Sequence, residues 1–217
     1  MCAGMQRGRF ISLEGGEGTG KSTQARRLAE RLKAAGRDVV LTREPGGSPG
    51  AEAIRGLLVE GAADRWSAVS ETLLMYAARR DHIERLIEPA LERGAWVVCD
   101  RFLDSTRAYQ GAAGGAPKAL IEALELDVVG AVTPDLTLIL DMPVAAGLAR
   151  AAGRAGGEGR FESKGHGFHE RLRAAFLDIA AREPERCAVL SAEGEMDVVA
   201  ARIWAVVTAR LAEAAHG

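Results

Sequence analysis

Phe10-Ile-Ser-Leu13, then Gly15-Gly-Glu-Gly-Thr-Gly20-Lys21-Ser22, then the amphipathic run Lys21 to Ala35 decide how this chain folds. The first segment is a short apolar strand. The second matches G-x-x-x-x-G-K-S, the spacing of a phosphate-binding loop. The third places Ala25, Leu28, Ala29 and Leu32 on one helical face, with Gly36 as its stop. Glycines at Gly15, Gly16, Gly18 and Gly20 let successive backbone N–H groups converge on phosphate oxygens. The helix adds its positive dipole end, Lys21 a point charge, and the Ser22 hydroxyl a ligand for Mg²⁺. Such a loop implies a nucleoside triphosphate but does not separate kinase, GTPase and motor.

Outward from this stretch, apolar runs alternate with helical patterns. Strands are expected at Asp38–Thr42, Trp96–Cys99, Leu136–Leu140 and Cys187–Leu190. Helices are expected at Ala51–Glu60, Ser70–Arg93 (with a break at Pro89), Ala119–Val128, Val144–Arg150, Phe168–Arg182 and Met196–Ala214. Five strands joined through helices predict an α/β fold of three layers, α/β/α, on a five-stranded parallel sheet. Ligands then bind beyond the carboxyl ends of the strands. The chemistry-bearing segments follow the first three.

The 217 residues, 47% apolar and 27% charged, fit one domain spanning 1–217. Residues 1–8 read as a loose leader, and about 150–167, rich in glycine and charge, as a short mobile lid. A net charge of −2 gives no basic field for nucleic acid, and no apolar run is long enough to span a membrane. Cys2, Cys99 and Cys187 are odd in number and far apart, which suits a reducing cytoplasm rather than a disulfide framework. His82, His166, His169 and His216 show no metal-ligand spacing and read as surface residues.

Four further motifs stand in order: Thr42-Arg43-Glu44-Pro45-Gly46-Gly47, Tyr76-Ala-Ala-Arg79, Asp100-Arg101-Phe102, and Ser105-Thr106-Arg107-Ala108-Tyr109-Gln110-Gly111. With the phosphate loop they resemble the thymidylate kinases, P-loop kinases of nucleoside monophosphates, from about Phe10 to Leu190. The resemblance implies phosphoryl transfer from ATP to dTMP, a Mg²⁺ requirement, and a homodimer in the cytoplasm. It implies ATP binding by Gly15, Gly16, Glu17, Gly18, Thr19, Gly20, Lys21, Ser22 and Thr23. It places Glu17 on the acceptor's 3′-hydroxyl, Glu44 and Arg55 near the acceptor phosphate and the entrance, and Arg79 on the thymine carbonyl. Thr106, with Ser105 behind it, meets the ring N–H edge. Tyr109 lies beneath the sugar C2′ and excludes a 2′-hydroxyl, and Gln110 adds a polar contact. Arg101 clamps donor and acceptor phosphates as a bidentate fork, and Asp100 joins Ser22 at Mg²⁺. The loop carries no arginine, so the resemblance assigns the further catalytic charge to the lid, to Arg160 first and Arg154 second. The chain departs from the family pattern at Met75, where an aromatic residue usually stacks on the base, and at Phe102, where tyrosine or histidine is usual. Two other readings remain: a kinase of another nucleotide or of a nucleoside, and a P-loop regulator that only binds nucleotide.

Overall fold

The computed structural model describes residues 7–62, 64–153 and 164–211. β1 (Phe10–Glu14), β2 (Val39–Arg43), β3 (Trp96–Asp100), β4 (Leu136–Asp141) and β5 (Cys187–Ser191) form one parallel sheet in the order β2-β3-β1-β4-β5. The strands run one residue beyond the expected ends, which brings Glu14, Arg43, Asp100, Asp141 and Ser191 to the same edge of the sheet. β1 is central and buried along its whole length.

The helices are α1 (Lys21–Ala34), α2 (Pro49–Val59), α3 (Ala68–His82), α4 (Glu88–Glu92), α5 (Leu103–Thr106), α6 (Lys118–Leu124), α7 (Val144–Ala152), α8 (His166–Arg182) and α9 (Met196–Leu211). Parallel strands need crossovers, and these helices supply them on both faces. On one face α1 and α9 set Leu28, Leu32, Ile203 and Val207 against Ile11, Leu13, Val98 and Leu138. On the other, α3 and α4 cover Phe10, Val97 and Cys99 through Tyr76 and Leu91, while α8 covers Ile139 and Cys187. The expected three-layer architecture is the one observed.

Four expectations change in detail. No break occurs at Pro89. The chain stays helical from α3 to α4 through a wider turn at Ile83–Ile87, where the Glu88 N–H donates to Ile83 O, five residues back. Proline cannot bond the carbonyl four residues before it and its ring pushes that carbonyl aside, so the preceding turn widens. The stretch after β3, carrying no expected helix, winds through α5 into a second wide turn at Arg107–Ala113. Gly8, expected within the loose leader, is fixed instead: its N–H donates to Leu91 O at 2.8 Å. A Cβ there would sit 1.8 Å from Ala95 O. Finally, His82 and His169 are buried at 0% and 3% exposure rather than on the surface. The candidate lid residues Arg154 and Arg160 lie outside the described residues, as does His216.

Candidate active site

The phosphate loop is shaped by close backbone packing. Gly15 has φ 134° and Gly18 φ 71°, conformations that glycine alone adopts cheaply. A Cβ on Gly15 would lie 2.3 Å from Leu140 O, and one on Gly18 1.9 Å from Gly147 O. Gly147, in α7, reciprocates: its Cβ would lie 2.5 Å from Glu17 O. Gly147 is thus part of the site, although nothing in its local sequence marks it. Within the loop, Lys21 Nζ donates to Gly16 O at 2.6 Å and to Thr19 Oγ1 at 3.3 Å. Burial and the Arg101 charge push the Lys21 amine down to about 8, against the pull of Glu17, Asp100 and Glu14. Ser22 is exposed on the first turn of α1, and Thr23 follows it half-buried.

Arg101 is the hub. It sits just past β3 at φ 73°, with its N–H on Leu13 O at 3.0 Å. Its guanidinium reaches Glu17 Oε1 at 3.1 Å, Gly15 O at 3.3 Å and Ser105 Oγ at 3.4 Å, and lies 4.8 Å over the Tyr109 ring. The Tyr109 hydroxyl donates to the same Glu17 Oε1 at 2.6 Å. Burial opposes ionisation of Glu17, but Arg101, Lys21 and the tyrosine bond overcome it and hold the carboxyl at about 2. Sequence reading passed over Glu14. It is fully buried beneath this hub and accepts from Phe102 N at 2.7 Å and Ser105 Oγ at 2.6 Å. Burial and the Asp104 charge raise it to about 8, against Ser105 and Arg101.

That shift has a measurable consequence. A raised carboxyl binds a proton in the fold that the unfolded chain has released, so its contribution is fully present below 4.5 and is lost as pH rises through about 8. Urea unfolding of wild type and Glu14→Gln should therefore diverge across that window, with wild type losing stability relative to the variant as pH rises. Parallel pH profiles would refute the assignment.

Beside the hub opens a cleft lined by Glu44, Pro45, Met75, Arg79, Arg101, Phe102, Ser105, Thr106, Tyr109 and Gln110. It gathers the expected acceptor residues except two. Glu17 borders it through Tyr109 and Arg101, and Arg55 stays at the rim, donating to Pro45 O at 2.6 Å. Arg79 is sandwiched between the Tyr76 and Phe102 rings, 5.0 and 5.1 Å from their centroids. Its Nε donates to Glu44 Oε2 at 2.7 Å, and its Nη2 to Thr106 Oγ1 at 2.9 Å and Phe102 O at 3.1 Å. Burial favours the neutral form, but the Glu44 charge and hydrogen bond, with Tyr76 and Glu14, together overcome it and raise Arg79 further. The remaining nitrogen, Nη1, is buried with no hydrogen-bond partner among the described residues. His82 completes the set, its Nδ1 3.0 Å from Glu44 Oε1 and its Nε2 2.8 Å from Thr42 Oγ1. The Gln110 amide donates to Glu71 at 2.8 Å, so that buried pair positions it.

Behind the cleft, Asp104 takes a two-bond contact from Arg186 (2.7 and 3.0 Å) and another from Arg107 at 3.2 Å. Arg107 in turn holds Glu125 and Glu183. The network ties α5, which carries Ser105 and Thr106, to the start of β5. Asp100, whose Oδ1 is buried without a partner among the described residues, lines one groove with Ser22.

A loop for phosphates and a separate cleft with its own buried cation, joined by one arginine, are the requirements of a kinase for small acceptors. A nucleotide switch has no use for the second cavity. The molecule belongs with the P-loop phosphotransferases.

Comparison with known proteins narrows this. The profile of the thymidylate kinase family matches residues 13–203. The chain is 69% identical over 207 residues to the thymidylate kinase of Caulobacter vibrioides, covering 95% of this chain and 99% of that one. It is 57% identical over 213 residues to that of Rhodopseudomonas palustris, covering 97% and 93%. The crystal structure of thymidylate kinase from Ehrlichia chaffeensis superposes with a TM-score of 0.76 at 35% identity, over 93% of this chain and 99% of that chain. The chain belongs to the thymidylate kinase family and is an ATP-dependent phosphotransferase that converts dTMP to dTDP.

Proposed function

We propose that the Gly15–Ser22 loop, with Thr23, holds the ATP phosphates and that the Glu44–Gln110 cleft holds dTMP. The observation that carries the acceptor assignment is the orphaned Arg79 Nη1, a buried cationic donor on a side chain that lines the cleft. A pyrimidine carbonyl satisfies it, and Thr106 beside it meets the ring N–H edge. Met75 packs on the base, Tyr109 underlies the sugar, and Ser105 steadies Thr106. Gln110 contributes a polar contact, and Glu44 and Arg55 shape the entrance. Glu17, kept ionised, accepts from the 3′-hydroxyl. Lys21 and Arg101 neutralise charge on the transferring group, joined by Arg160 and Arg154 from the segment between α7 and α8. An unpartnered carboxylate oxygen beside a hydroxyl is a hard-oxygen pair that fits Mg²⁺. Asp100 and Ser22 would hold that ion, which supplies charge neutralisation on the phosphate oxygens.

We further place the enzyme in the cytoplasm, where its buried free thiols Cys99 and Cys187 suit a reducing medium. A second copy of the chain would cover the apolar residues Leu57, Val69 and Leu73, exposed at 40%, 40% and 47% on the packed pair α2 and α3. No helix among the described residues is long and apolar enough to cross a membrane.

The test is ADP formation from Mg²⁺–ATP with dTMP, dUMP, dCMP, AMP, the ribose analogue of dTMP, thymidine, and no acceptor. Strong stimulation by dTMP over the others supports the cleft assignment. A better acceptor among the others would make the cleft that acceptor's site. Phosphate release independent of acceptor would leave only the loop assignment standing.

A further inference from the structure

α8 carries an imidazole nitrogen that stands alone. His169 is buried, and its Nε2 has no hydrogen-bond partner among the described residues. Buried polar atoms without partners are few in folded proteins, and each calls for an explanation. Phe168 packs edge-on against the His169 ring at 5.4 Å and 87°, and α8 is fastened to β4 by the Arg173–Asp141 ion pair at 2.7 and 2.9 Å.

His169 lines a pocket that it shares with Gly16, Glu17, Thr19 and Gly147. Glu17 lines this pocket and bonds to Arg101 and Tyr109, which line the acceptor cleft. Its Oε1 takes both Arg101 and Tyr109, and no hydrogen bond from the described residues goes to Oε2. Burial works against the Glu17 charge, yet the carboxyl stays ionised, with His169 among the groups that favour this. An ionised carboxylate only accepts. Nε2 of His169, when it carries a proton, donates. Few ligand groups answer both. A phosphate would be repelled by Glu17, and an ammonium has nothing to offer an N–H donor. A hydroxyl gives its proton to the carboxylate and receives the imidazole N–H on its oxygen.

We infer that His169 is a second protein partner of the acceptor's 3′-hydroxyl, donating through Nε2–H to the oxygen whose own proton goes to Glu17. The inference rests on the reading that dTMP lies in the cleft with its sugar at Glu17. His169 is then a specificity residue for the sugar, acting on a single hydroxyl and not on the transferring phosphoryl group.

The experiment compares kcat and KM for dTMP and for 3′-deoxythymidine monophosphate in wild type, His169→Phe, His169→Ala and His169→Gln, with thermal unfolding recorded for each. Wild type should prefer dTMP. The Phe and Ala variants should lower that preference about tenfold, the worth of one hydrogen bond, with the loss in KM for dTMP and little change in kcat. Gln, which keeps an N–H donor, should restore part of it. If His169→Phe does not fold, the Ala variant carries the comparison. An equal loss for both acceptors would make His169 a packing residue and overturn the inference. A wild-type preference that survives unchanged in both deletions would overturn it while leaving Glu17 on the sugar. If wild type does not distinguish the two acceptors, both the inference and the Glu17 assignment fall.

Discussion

Arg101→Ala is expected to lower kcat by about three orders of magnitude, in the range measured when a single preorganised charge is removed from a phosphoryl-transfer site. The guanidinium is held from four sides, by Glu17, Gly15 O, Ser105 and the Tyr109 ring, so it is oriented before any substrate arrives. Preorganisation is what makes such a charge effective, since nothing has to be reordered as charge develops. Arg101→Lys keeps the charge but not the planar fork, and should recover only a small part of the loss. The backbone adds a second test. At φ 73° a residue with a Cβ is strained by about 1–3 kcal/mol. Arg101→Gly should therefore match Arg101→Ala in lost kcat yet unfold at a higher temperature. Steady-state ADP formation and thermal melts read both effects. A fall in kcat of less than tenfold in the Ala variant would remove Arg101 from the reaction. Equal melting of the Ala and Gly variants would remove the strain.

The features legible from sequence are those whose cause is local. The phosphate loop needs glycine because positive φ and backbone contact leave no room for a Cβ, and Gly15 and Gly18 meet both conditions. The strands alternate sides, so Ile11 and Leu13 meet α1 while Phe10 meets α4. The motif residues Arg79, Thr106 and Tyr109 do converge on one cleft, because each follows a strand end or faces one. What stayed hidden depends on partners far away in the chain. Leu103–Ala113 contains Asp104, Ser105, Thr106 and Gly111, all poor helix formers. It winds because Glu14 accepts from the Phe102 N–H and Ser105, and because Arg186 fastens Asp104 from 82 residues away. His82 reads as a polar residue on an exposed helix until Thr42 and Glu44 are seen to bracket its ring. Gly147 has no local signature, since its reason for being glycine is the carbonyl of Glu17 on another element.

Arg79→Met is expected to do two separable things, and their separation tests the acceptor site most sharply. The variant keeps an unbranched side chain between the Tyr76 and Phe102 rings but leaves Glu44, with its side chain 5% exposed, without its main cationic partner. Breaking a buried ion pair on one side costs about 3–5 kcal/mol, because the remaining carboxylate is desolvated and uncompensated. His82, 3.0 Å from Oε1, remains beside the carboxylate. Independently, a charged donor facing a base carbonyl contributes about 1.5–3 kcal/mol, so KM for dTMP should rise about 10- to 150-fold. The double variant Arg79→Met/Glu44→Gln removes the stranded charge. It should recover most of the stability measured in urea while keeping the full rise in KM. If KM recovers together with stability, Arg79 serves only to neutralise Glu44, and the orphaned Nη1 is not the base contact. If stability recovers and KM does not, Nη1 is reading the acceptor directly. KM for ATP should stay within about threefold throughout, because the ion pair lies on the acceptor side of Arg101 and its effects on the phosphate loop are those of a distant, independent site.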